Sequence, residues 1–177
     1  MDQKEGKTQG RRKYELETSF GDITEKNIGQ LKLLNQVIFP VSYNEKFYSD
    51  LLQSWLPLST FIYHTDIVIG AVCCRIEPHP EPSPSPQAKR MYIMTLGVLA
   101  PYRNLGVGSK LLNFVFELLK DKPFITSLYL HVQTSNQEAI NFYKQFGFEI
   151  KQTIPKYYKD IEPPDCYLLE KTLAPSS

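Results

Sequence analysis

Ile28, Leu31, Leu34 and Ile38 recur three and four positions apart, the spacing that lines apolar side chains along one face of an α-helix. Asp22 followed by Glu25 reads as the start of that helix, and Pro40 ends it. A second helix is predicted to open at Asn44, with Phe47, Leu51 and Trp55 on one face, and to close at Pro57. Elsewhere the pattern shifts to runs rich in β-branched and aromatic residues. These predict strands over 14–20, 60–63, 67–76, 91–99, 127–132, 148–154 and 167–173, with a turn at His64, Thr65 and Asp66. Two more helices are expected. One covers 110–119 and turns Leu111, Leu112, Val115, Leu118 and Leu119 inward. The other runs over 136–146, with Gly147 where a C-terminal cap belongs. Strand, two helices, several strands, then strand and helix in alternation is the order of an α+β or α/β fold with a mixed sheet and helices on both faces.

Composition narrows this picture. The chain has 177 residues, enough for one domain with a real core, here placed at 14–173. Residues 1–13 are polar and aperiodic and read as a disordered leader; 174–177 form a short tail. Between two strands, PHPEPSPSP at 78–86 brings five prolines, which forbid a ladder and predict an exposed loop over 78–88. The net charge of +1 points to neither direct nucleic-acid binding nor a membrane surface. No stretch approaches the roughly 20 apolar residues of a membrane span. Cys73, Cys74 and Cys166 lack metal-ligand spacing and read as reduced structural thiols, so no metal is expected. With no signal-like apolar core near the start, the expected compartment is the cytoplasm, with the nucleus as a second location.

The candidate chemistry lies where a strand runs into a loop with two glycines and then a helix. Arg103-Asn104-Leu105-Gly106-Val107-Gly108 leads into Ser109 and the helix beyond. A helix N-terminus carries unpaired N–H groups and partial positive charge, and glycine lets an anion approach the backbone. Alone, G-x-G is a weak signal and is usually a structural turn. Here it is followed by Asn136, Ala139, Phe142, Tyr143, Phe146, Gly147 and Phe148, in the order Asn-x-x-Ala-x-x-Phe-Tyr-x-x-Phe-Gly-Phe. The two blocks together resemble the GNAT superfamily of acyl-CoA N-acyltransferases.

That resemblance implies a fold in which the strand at 91–100 splays from the strand at 127–132 and acetyl-CoA enters the gap. Leu96, Gly97 and Val98 would meet the pantetheine arm through backbone groups. Arg103, Asn104, Leu105, Gly106, Val107, Gly108 and Ser109 would hold the pyrophosphate. Asn136 would contact the pantetheine, and Tyr143 would stand near the thioester sulfur as a proton donor.

FPVSYN at 39–44, YIMTLGVLAPYR at 92–103, LYLHVQTSN at 128–136 and YYKDIEP at 157–163 resemble the NatE-type N-alpha-acetyltransferases over about 15–173. That family acetylates protein N-termini and prefers Met followed by a hydrophobic residue. It associates with the NatA complex, and through it with the ribosome, and is tied to sister-chromatid cohesion. Carried over singly, Tyr92 and His131 match the pair that holds and polarises a catalytic water. Phe39, Pro40, Val41 and Tyr43 match the loop receiving the first residue. Tyr157, Tyr158 and Ile161 match the opposing lip, and Met94 faces the same pocket. The segment QSWLPLST, the long proline-rich loop and the long leader depart from the family pattern; none touches the catalytic set.

Elementary chemistry supports an N-terminal acceptor. Deprotonating an α-amine at pH 7 costs only about 1 kcal/mol, against roughly 4.6 kcal/mol for a lysine ε-amine. A neutral imidazole acting through water suffices for the first. Slower lysine acetylation stays open. Two other readings also stand at this level: an acetyltransferase for small amines, which needs acidic residues around the acceptor, and a scaffold subunit of a NatA-like complex.

Overall fold

The computed structural model describes residues 15–174. The leader over 1–13, the first residue of the predicted first strand and the end of the tail lie outside them.

The chain forms β1 (Ser19–Gly21), α1 (Ile28–Ile38), α2 (Glu45–Asp50), β2 (Ser59–His64), β3 (Ile67–Pro78), β4 (Lys89–Val98), α3 (Val107–Leu119), β5 (Ile125–Gln133), α4 (Gln137–Gln145), β6 (Glu149–Ile154) and β7 (Cys166–Thr172). Seven strands make one mixed sheet in the order β1-β2-β3-β4-β5-β7-β6. This is the α+β arrangement expected from the element order.

Three elements differ from those predicted. The helix predicted from Asp22 begins only at Ile28. Asn27 stitches the preceding segment into a turn instead: its amide donates to Asp22 O at 2.8 Å and accepts from Thr24 N at 2.7 Å. The second predicted helix changes pitch twice. After α2 it passes through a π turn (Leu51–Trp55) and a 3₁₀ turn (Leu56–Leu58), where Pro57 lies. The first strand shrinks from the predicted 14–20 to Ser19–Gly21.

The core lies on both sides of β3 and β4. Ile69, Val72, Cys74, Met91 and Ile93 pack with Leu111, Leu112 and Val115 of α3. Leu31 and Leu34 of α1 cover Phe61, Ala71 and Cys73 on the other face. The three cysteines are free and buried. Burial raises the Cys73 and Cys166 thiols to about 11, so neither stands as a thiolate nucleophile.

Two features of β4 shape everything near it. First, Cys73 pairs with Thr95 but Cys74 pairs with Ile93, so Met94 is the extra residue of a β-bulge. Second, β4 and β5 run parallel and paired only from Lys89↔Ile125 to Tyr92↔Tyr129. β5 stays with β7 through Gln133↔Cys166, while β4 stays with β3 through Val98. The strands therefore part after Tyr92, and the last half of β4 keeps one ladder only.

Candidate active site

Two cavities open where β4 and β5 part. The larger, about 710 Å³, lies on the loop side. The smaller, about 410 Å³, lies between the α1–α2 loop and the β6–β7 loop. Phe39, Pro40, Leu96, Asn136, Ala139 and Tyr143 line both, so the two spaces meet across the strand gap.

The larger cavity is built mostly from backbone. Asn104 (φ 62°) and Gly106 (φ 82°) adopt left-handed geometry on the approach to α3. Such alternation turns successive N–H groups toward one point, the geometry of an anion nest. Among the described residues, no backbone N–H from Asn104 to Ser109 has a backbone acceptor; the first bond is Lys110 N to Gly106 O at 3.1 Å. Arg103 ties this loop to the end of β4, its Nε donating to Val98 O at 3.0 Å. Six successive residues with unpaired donors, beside an arginine, fit the pyrophosphate of acetyl-CoA.

Leu96, Gly97, Val98, Arg103, Asn104, Gly106, Gly108 and Ser109 line this cavity together with Asn136 and Tyr143. Leu105 and Val107 do not: Leu105 points to solvent at 43% exposure and Val107 packs into the core. Their side chains lie outside this cavity, and what they can turn toward an anion is backbone N–H. Gly97 has a separate reason to be glycine. A Cβ there would stand 2.7 Å from Phe39 Cζ and 2.8 Å from Ile38 Cγ2, so the end of α1 rests directly on β4.

Asn136 caps α4, its Oδ1 accepting from Ala139 N at 3.2 Å. What it offers the cavity is therefore its amide NH₂. Tyr143 is 6% exposed, and burial raises its hydroxyl pKa, so it stays protonated. The motif reading overlooked the polar wall made by Glu138, Asn141 and Gln145. Their spacing of three, four and seven along α4 was the available signal.

The smaller cavity is built from side chains. Phe39, Pro40, Val41 and Tyr43 face Tyr157, Tyr158 and Ile161, with Met94, Tyr92 and His131 at the base. Every residue assigned to the acceptor by resemblance lines it. Tyr43 meets Phe39 edge-on and lies tilted against Phe47, with centroids 6.0 and 4.8 Å apart. The opposing lip is held by its backbone: Gln133 Nε2 donates to Pro163 O at 2.9 Å, and Tyr158 N donates to Pro164 O at 2.9 Å. Among the described residues no carboxylate lines this cavity, whereas a small polyamine site calls for one.

Tyr92 Oη and His131 Nδ1 lie 3.0 Å apart, in hydrogen-bond range, although the two residues are 39 positions apart in sequence. Tyr157 Oη stands 3.3 Å from the same nitrogen. Geometry ranks the two. The Tyr92 ring meets the imidazole edge-on at 80°, whereas the Tyr157 ring lies nearly parallel to it at 24°. A lone pair or N–H on the ring lies in its plane, so Tyr92 is the true partner and Tyr157 a stacking lid. Burial, with Arg90 nearby, lowers the His131 pKa below its usual value and keeps the imidazole neutral. Burial, then Tyr157, raises the Tyr92 hydroxyl well above the ordinary tyrosine range.

Residues 29–148 match the acetyltransferase (GNAT) family model. The chain is 54% identical over 153 residues to N-alpha-acetyltransferase 50 of Danio rerio, covering 86% of this chain and 87% of that one. It is 49% identical over 160 residues to the probable N-acetyltransferase san of Drosophila melanogaster, covering 89% and 83%. The solved structure of Arabidopsis thaliana Naa50 in complex with the bisubstrate analogue CoA-Ac-MVNAL superposes with a TM-score of 0.79 at 47% identity, covering 88% of this chain and 99% of that one. With the splayed strands, the phosphate loop and these relatives together, the chain belongs to the acetyltransferase (GNAT) family, among the acetyl-CoA-dependent N-alpha-acetyltransferases.

Proposed function

We propose that this enzyme acetylates protein N-termini that begin with Met followed by a hydrophobic residue, with Tyr92 and His131 relaying the acceptor's proton through water. The observation that carries the proposal is the meeting of two unlike cavities across the β4–β5 gap, one lined by a phosphate loop and the other by aromatic walls. The relative solved with a CoA-Ac-MVNAL analogue, whose peptide starts Met-Val, supports the same acceptor class.

Acetyl-CoA, when bound, supplies a thioester carbonyl to the gap. The residues of the chain do the rest. Phe39, Val41, Tyr157 and Ile161 reward an apolar first side chain, worth about 1.5–3 kcal/mol on full burial. With its proton on Nδ1 and donated to Tyr92 Oη, His131 keeps a lone pair on Nε2. That nitrogen takes a proton from the α-ammonium through one water. The freed amine forms the N–C bond while the C–S bond breaks. Backbone N–H groups of β4 beyond Tyr92, which lack a β5 partner, face charge building on the carbonyl oxygen. Tyr143 gives its proton to the leaving sulfur and takes up the second proton lost by the acylated nitrogen, so the thiol leaves neutral and one proton in all remains on His131 for release to solvent.

Slower acetylation of lysine is part of the same proposal, since its ε-amine holds its proton by about 4.6 kcal/mol at pH 7. The family resemblance extends it to association with a NatA-type complex and, through that complex, the ribosome, in the cytoplasm and also the nucleus. The test is a peptide panel with acetyl-CoA: starts of Met-Leu, Ser and an acidic residue, and an internal lysine. The Met-Leu peptide is expected to lead in kcat/KM. Equal rates on acidic starts overturn the specificity.

A further inference from the structure

Beneath the catalytic pair lies a charged patch that the proposed mechanism does not use. On β3, Arg75 and Glu77 are two positions apart and share a face. Register places Arg75 beside Tyr92 and Glu77 beside Arg90 on β4, and Tyr92 beside Tyr129 on β5. His131 is two positions beyond Tyr129 on that same face. Three strands thus lay two arginines, one glutamate, two tyrosines and the histidine on a single surface.

The contacts converge on Glu77. One carboxylate oxygen accepts from the Tyr129 hydroxyl. The other accepts from Arg75 Nε at 2.7 Å. Arg90 Nε stands 3.6 Å from Glu77 Oε1, is buried, and makes no hydrogen bond among the described residues. Its charge is therefore answered there by that carboxylate. Each arginine also lies over an aromatic ring. Arg75 sits 5.0 Å from the Tyr92 centroid and Arg90 sits 3.8 Å from that of Tyr129. The two tyrosine rings stack at 4.6 Å and 15°, and both meet His131 edge-on.

We propose that Glu77 is a positioning residue for acetyl transfer: by anchoring Tyr129, Arg75 and Arg90 it fixes the ring stack that sets Tyr92 Oη against His131 Nδ1. Glu77 lines neither cavity. A stacked ring has little freedom to slide once its hydroxyl is held at one end, and Tyr92 inherits that constraint from Tyr129. Misplacement of a reacting group by about 1 Å is enough to lose roughly 100-fold in rate.

The patch also sets the charge around the imidazole. Arg90 and Arg75 on β4 and β3 favour its neutral form, and Glu77 opposes them. The hydroxyls of Tyr92 and Tyr157 stand at His131 Nδ1, the Tyr129 ring meets the imidazole edge-on, and Tyr43 on the α1–α2 loop lines the same cavity. On β7, Leu168 pairs with His131 while Glu170 pairs with Tyr129. Cancelling the Glu77 charge leaves the arginines unopposed and moves the His131 titration lower. Removing Arg90 moves it higher.

This inference rests on the assignment of His131 as the base, and the experiment separates the two. Glu77→Gln, Arg90→Gln, Tyr129→Phe and His131→Ala are compared with the unmodified protein on a Met-Leu peptide, as kcat, KM and pH profile. Folding is checked by circular dichroism and Tm. The acid limb of the profile is expected to disappear in His131→Ala. It is expected to shift down in Glu77→Gln and up in Arg90→Gln. Both Glu77→Gln and Tyr129→Phe are expected to lower kcat by roughly 10- to 100-fold, with KM for acetyl-CoA within twofold. Tyr129→Phe keeps every charge, so it reports on positioning even where a Glu77 variant folds poorly. A limb that survives His131→Ala overturns the base assignment. A limb that is lost there, yet stays fixed in both charge variants while Tyr129→Phe keeps full kcat, overturns the role of Glu77.

Discussion

The two cavities share Tyr143 and Asn136, yet they are made of different material. The donor side is a backbone device: left-handed torsions at Asn104 and Gly106, a helix N-terminus and a strand edge without a partner. The acceptor side is a side-chain device, assembled from the α1–α2 loop, β4, β5 and the β6–β7 loop. A backbone device needs particular residues at close spacing, so it leaves a motif. A side-chain device needs only that distant segments meet, so it leaves none that spacing alone reveals. His131 and Tyr92 show this: 39 positions separate them, and only the parallel pairing that ends at Tyr92↔Tyr129 brings them together.

The largest effect that separates the two halves is expected from His131→Ala. His131 lines the acceptor cavity but not the donor cavity. Loss of a positioned general base costs roughly 100- to 10,000-fold in kcat/KM, while binding of acetyl-CoA measured by calorimetry should stay unchanged. The pH profile carries the same distinction. Because His131 titrates below its ordinary value, the neutral base persists as pH falls, and activity should drop only as pH passes below about 6.5. A limb well above that value contradicts a buried imidazole base.

Next come two glycines that are needed for opposite reasons. Gly97 has ordinary torsions, but a Cβ there would meet Phe39 Cζ at 2.7 Å and Ile38 Cγ2 at 2.8 Å. Gly97→Ala should therefore push the end of α1 away, displace Phe39 and lower kcat/KM for peptide by roughly 10- to 100-fold. At Gly106 a Cβ would meet nothing within 4 Å, but φ is +82°. The strain of about 1–2 kcal/mol for an L side chain falls on the loop itself. Gly106→Ala should raise KM for acetyl-CoA about tenfold and leave peptide KM alone. Steady-state kinetics with each substrate varied reads both, and a swapped pattern would contradict the division into backbone and side-chain halves.

The same contrast explains what could be read before the structure. The passage from strand to phosphate loop to α3, then β5 and α4, was legible because hydrophobic period and glycine placement agree at every step. The acceptor residues were reached through resemblance, and all of them line the smaller cavity. Three things were not legible. The bulge at Met94 inserts one residue into the β3–β4 register, and no local residue preference announces it. The pitch changes after Asp50 depend on packing around Leu51 and Trp55 rather than on propensity. Arg75, Glu77 and Arg90 look like ordinary alternating charges until the register aligns them under Tyr129 and Tyr92.

Asn136 stands on the boundary between the halves and gives the smallest and sharpest test. Its Oδ1 caps α4 through Ala139 N, which leaves the amide NH₂ free, and the residue lines both cavities. Asn136→Ala removes both functions. Losing the cap costs about 1 kcal/mol, a fall in Tm of about 2–4 °C for a chain of this size. Losing one hydrogen bond to the cofactor is worth about 1 kcal/mol more, a rise of about fivefold in KM for acetyl-CoA. Asn136→Ser keeps an acceptor for the cap and drops the amide, so Tm should recover while KM stays high. If serine restores both, Asn136 serves only the helix, and the donor half is a backbone device throughout. If it restores Tm alone, one side chain from α4 belongs to the donor site as well.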